Sequence, residues 1–132
     1  MIQFIEAAQW KAHSATVGKK YVVDLRGSQS KQEILRSMGK ILKGKDSPLI
    51  NGNSLDALND VMSDWFCENW GKEKQIYIIG WEVVGEIHSE LPVILADIVN
   101  SAFLGAVYDK CLRGDSSSVP DEINNFSVFL VN

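Results

Sequence analysis

Residues 75–81 read QIYIIGW, a run that after Gln75 has no polar side chain to turn toward water. A strand with one wet face alternates apolar and polar residues. A continuous apolar run suits a strand covered on both faces, as in parallel sheets. Two further β-rich runs occur, YVVDL at 21–25 and FSVFLV at 126–131. Parallel neighbours need crossovers of about a dozen residues or more, so the segments between these runs decide the topology.

Those segments have helical spacing. In SKQEILRSMGKILKG, Ser30 and Glu33 form a capping box, and Ile34, Leu35, Met38, Ile41 and Leu42 follow at helical intervals up to Gly44. KDSPLINGN reads as a loop. A second helix starts after Ser54, its N-cap, with Leu55, Leu58, Met62 and Trp65 directed at the core. EVVGEIHSELP reads as a charged connection. A long apolar helix follows over 91–113, with Pro92 in its first turn and Gly114 at its end. DSSSVPDEINN is a polar loop. The order β-α-α-β-α-β predicts an α/β fold, a small parallel three-stranded sheet packed by helices. One domain over 1–132 accommodates it. Residues 1–20 form an N-terminal extension, in which IQFIEAA fits an added strand or edge segment.

The second helix poses a chemical question. Asp56, Asp60 and Asp64 recur every four residues, and no Lys or Arg stands near them in sequence. They share one side of the helix with Asn59 and Ser63, opposite the apolar positions, and Asn51 and Asn53 precede them. Like charges at this spacing destabilise by a few tenths of a kcal/mol each. Asp56 recovers part of that at the positive end of the helix dipole. Three readings compete. A solvated acidic face is the plainest. A metal site lacks a histidine or further acid nearby. A binding face would offer carboxylates to a pocket lined by Arg and Lys. The net charge of −4 argues against a protein that tracks phosphates and is compatible with a basic protein partner.

NGNSLDALNDVMSDW resembles the signature of the barstar family of intracellular ribonuclease inhibitors. Gly52, Leu55, Asp56, Ala57, Leu58, Asp60 and Trp65 match in register. VVDLRGSQSKQEILRSMGKIL precedes it with a strand, a turn at Gly27 and a capped helix in the family's order, so the likeness covers roughly 20–132. The resemblance implies a small parallel sheet with helices. It also implies a stoichiometric, non-catalytic inhibitor that blocks a cytotoxic ribonuclease, as an immunity protein or antitoxin. By position, Asp60 matches the family's central acid, a mimic of substrate phosphate, and Asp56 its partner one turn earlier. The family also uses an acid on its last helix, for which Asp109 is the candidate by location, followed by Asp97. The chain departs from the pattern at three places: Asn51 replaces an aromatic residue, Asn53-Ser54 replaces Glu-Asn, and Asn59 replaces the tryptophan between the acids. The expected partner surface is therefore Asn51, Asn53, Asp56, Asn59, Asp60, Ser63, Asp64 and Asp109. The partner is a basic nuclease toxin, with no direct nucleic-acid or membrane contact. An acidic adaptor for a non-nuclease basic protein is the alternative.

Enzymatic readings are weaker. His13 and His88 stand near no nucleophile motif, and Glu82, Glu86 and Glu90 fit a charged connection. Lys40, Lys43 and Lys45 form a small solvated patch, and no phosphate-loop motif, cofactor signature or metal-ligand spacing occurs. Cys67 and Cys111 read as reduced packing residues. Trp10, Trp65, Trp70 and Trp81 read as core, with Trp70 or Trp81 as a candidate exposed anchor. The N-terminus lacks the features of a secretory signal, and no run suggests a membrane span. A soluble, cytoplasmic protein is expected.

Overall fold

The computed structural model describes residues 2–13, 19–44, 54–70, 74–113 and 126–132. The loop 45–53, with Asn51, Gly52 and Asn53, and residues 114–125 lie outside them, as does Lys45. Among the described residues nine elements follow in order: β1 (Ile2–Ile5), α1 (Ala7–His13), β2 (Lys19–Asp24), α2 (Lys31–Leu42), α3 (Leu55–Glu68), β3 (Lys74–Ile79), α4 (Trp81–Ile87), α5 (Leu91–Arg113) and β4 (Phe126–Val131). The sheet is all parallel with order β1-β4-β3-β2. It has four strands where three were expected. The extension supplies the fourth, pairing Ile2–Ile5 with Val128–Val131.

The crossovers explain why β3 is apolar on both sides. The β2→β3 and β3→β4 connections step one way along the sheet, and α2, α3 and α5 lie on one face. The β1→β2 connection steps back the other way across β4 and β3. A crossover of the same hand must then lie on the opposite face. There Trp10 of α1 packs against Tyr77, Ile79, Phe129 and Val131. Its ring lies 6.2 Å from Tyr77, which stacks on Phe129 at 4.8 Å. Burial pushes the Tyr77 phenol above its ordinary pKa, and its hydroxyl donates to Gln75 Oε1 at 3.1 Å. Alternate residues of the same strands, Val23, Ile76, Ile78, Val128 and Leu130, enter the larger core under the other helices. There the rings of Trp65, Phe66, Phe103 and Phe126 meet edge to face at 5.3–6.1 Å.

Several boundaries differ from the sequence reading, and β2 spans Lys19–Asp24 where 21–25 was expected. The apolar run does not continue as strand to Trp81. Gly80 adopts a left-handed conformation (φ 80°, ψ 36°), and its N–H donates to the Val131 carbonyl at 2.9 Å. A Cβ there would lie 2.8 Å from Arg26 Cγ and 3.0 Å from its backbone nitrogen, so this turn requires glycine. Trp81, 6% exposed, then opens α4, and the Glu82–Ile87 stretch is a helix where a charged connection was expected. Cys111 is also exposed and free, not packed, while Cys67 is half-buried.

Candidate functional site: the acidic face of α3

α3 is fixed from below and at its start. Leu58, Val61, Met62, Trp65 and Phe66 are buried against the sheet and α5, and Leu55 is half-buried. The Ser54 hydroxyl accepts from the Ala57 N–H at 3.3 Å, satisfying one free donor of the first turn. The register predicted from Leu58, Met62 and Trp65 therefore holds, and the opposite side faces solvent.

Asp56, Asp60 and Asp64 are all exposed, with Asn59 and Ser63 half-buried beside them. The row is not uniform. Asp64 Oδ2 accepts from Lys43 Nζ at 3.0 Å, an ion pair between α3 and the C-terminal end of α2. This contact raises the Lys43 pKa above its ordinary value, through the hydrogen bond first and the charge of Asp64 second. No Lys or Arg stands near the three acids in sequence, yet the fold brings one to Asp64. The cation comes from 21 residues away, where local spacing cannot reveal it. Among the described residues, neither Asp56 nor Asp60 makes an ion pair. They stand one turn, about 6 Å, apart along the axis.

Asp109 is not brought beside them. Leu55 of α3 and Leu91 and Ile94 of α5 line one cavity, and Phe66 meets Phe103 further along, so the two helices run parallel. Asp60 lies six residues before Phe66 and Asp109 six residues after Phe103. The two acids are therefore displaced by about 18 Å along the axes. Asp97 lies nearer in level but lines a cavity with Phe4, Trp81 and Pro92, toward the β1 edge. Trp81 is buried and Trp70 half-buried, so neither is a fully exposed anchor.

Two features escaped the sequence reading. At the start of α3, a cavity of about 340 Å³ is lined by Lys31, Leu55, Ile87, His88, Leu91 and Ile94. It is mostly apolar, with Lys31 as its cationic side chain, and it exists only because α2, α3, α4 and α5 converge. A second, polar cavity of about 320 Å³ lies past the end of β2, at the edge of the sheet and away from its topological switch point. Here Arg26 pairs with Asp24 at 2.7 Å and holds its carboxyl below the usual range by a side-chain hydrogen bond. Glu33 accepts from the Gln29 N–H at 2.6 Å. These groups satisfy one another. Among the described residues no cluster of three or more His, Cys, Asp or Glu is placed to hold a metal. Leu91–Leu112 is long and apolar enough to cross a membrane by composition, contrary to the sequence reading, although one side of it packs in the core.

Compared with protein-family models, with characterised proteins and with solved structures, the chain finds no match, so the site rests on its own geometry.

Proposed function

We propose that the chain is a stoichiometric protein inhibitor of a basic ribonuclease, acting in the cytoplasm as an immunity protein and presenting the α3 carboxylates to the enzyme's cationic site. The observation that carries this reading is the pair Asp56 and Asp60. They are exposed one turn apart, without an ion-pair partner among the described residues, on a helix whose other face is locked in the core. A rigid pair of this kind loses little entropy when it meets a basic pocket. The barstar-like spacing of Leu55, Asp56, Ala57, Leu58 and Asp60 supports the same assignment.

The test uses what the purified chain retains from cell extract. A retained basic ribonuclease should lose activity when recombined one-to-one with the chain, and association should slow steeply with salt. Asp60→Ala should weaken that complex by about 2–5 kcal/mol, a range to which the barnase–barstar complex itself contributes. The same change should alter folding stability by less than about 0.5 kcal/mol, as at an ordinary surface site. Full inhibition by Asp60→Ala and Asp56→Ala alike would remove α3 as the inhibitory surface. A retained basic protein without nuclease activity would favour the adaptor reading.

A further inference from the structure

α5 is apolar almost all round. Its inner side, including Leu95, Val99, Ala102 and Ala106, is buried in the core. Its outer side leaves Val93 73%, Leu104 56%, Tyr108 67% and Leu112 70% exposed. The most apolar window within Leu91–Leu112 has a mean hydropathy of 1.7 and is only 33% buried. Whole aromatic side chains bury roughly 150–250 Å², and aliphatic ones somewhat less. On that scale the outer face offers on the order of 500 Å² per copy, or about 1,000 Å² for two copies, the threshold for a specific interface.

The pattern of the face selects its occupant. Ile94, Asp97, Ser101, Leu104, Tyr108 and Cys111 alternate in steps of three and four residues, the spacing of a two-helix seam. Val93 and Leu112 flank its ends. Asp97 is the one charged residue among the described exposed positions of α5, the charge depletion expected at an interface centre. A parallel pair of such helices would set Asp97 against Asp97. An antiparallel pair about a two-fold axis between residues 102 and 103 sets Asp97 opposite Tyr108, whose phenol donates to a carboxylate. The same axis sets Val93 beside Leu112, Ile94 beside Cys111 and Leu104 over Ser101. At Gly105, near the centre, the backbone has open space around it.

We propose that the outer face of α5 is the interface of a homodimer, two copies packing helix to helix in antiparallel register. The seam uses no α3 residue. Sedimentation from low micromolar to submillimolar concentration should show a species of twice the 14.7 kDa chain mass. Leu104→Glu should shift it to the chain mass, with an unchanged thermal melt at dilutions where the native chain is also monomeric, because Leu104 is exposed in the single chain. A native monomer throughout that range overturns the proposal. So does a monomer that partitions into neutral phosphatidylcholine vesicles. Register is read by oxidation. The Cys111 sulfurs of two antiparallel copies lie about 25 Å apart along the axis, so the native chain should not cross-link, whereas Ile94→Cys should join to the second copy's Cys111. A Cys111–Cys111 link in the native dimer would mean parallel packing and overturn the register.

Discussion

α3 and α5 lie side by side on one face of the sheet and share a core contact, Phe66 against Phe103 at 5.3 Å. Their outer faces differ. α3 turns Asp56, Asp60 and Asp64 outward, whereas α5 turns out Val93, Leu104, Tyr108 and Leu112. The inner faces answer to the same packing rule, so the fold alone does not explain the difference. What a helix shows to solvent is free of that constraint: on α3 it is a row of carboxylates, on α5 an apolar strip.

The sharpest way to break the comparison is to remove what the helices share. Phe66→Ala deletes a fully buried ring that touches Trp65, Phe103 and Phe126. It should destabilise the fold by about 3–5 kcal/mol, read as a lowered urea midpoint. A loss below about 1 kcal/mol would mean the two helices do not form one cooperative unit. A crossed pair of surface variants comes next. Asp60→Ala should weaken nuclease inhibition and leave self-association intact, and Leu104→Glu should do the reverse. If either variant moves both readouts together, the faces are not independent. Smaller again is Ser54→Ala, which frees the Ala57 N–H and should cost about 1 kcal/mol by thermal melting. The smallest effect separates Asp64 from its neighbours. Lys43 has a raised folded pKa, so its contribution is fully present below its ordinary value of 10.5 and is lost as pH rises through the folded value. Asp64→Asn should flatten that slight alkaline slope and leave inhibition almost unchanged, which would assign Asp64 to the fold and Asp56 and Asp60 to binding.

Much of this was legible in the sequence where the determinants are local. The 91–113 helix and the 126–131 strand have the bounds read from their patterns, and the Ser30 and Ser54 hydroxyls cap as expected, although Glu33 reaches back to the Gln29 N–H and not to that of Ser30. The acidic side of α3 follows from spacing alone. What was missed depends on residues far apart in sequence. The added edge strand that IQFIEAA suggested is there, but its parallel pairing with Val128–Val131 shows in no local pattern. α4 depends on Gly80 turning tightly against Arg26. The Lys43–Asp64 pair needs α2 docked on α3. Asp109 is separated from Asp60 by the relative level of two parallel helices, which no local pattern encodes.

The pairing of β1 with β4 has a consequence for synthesis. Among the described residues β1 has a single partner in the sheet, β4, which lies more than a hundred residues later. At ribosomal rates of roughly 5–20 residues per second, Ile2–Ile5 emerges on the order of ten seconds before its partner exists. During that wait the edge of β1 is open and the face bearing Tyr77, Ile79 and Trp10 lacks Phe129 and Val131. The nascent chain must therefore hold an incomplete sheet until Phe126–Val131 has been made.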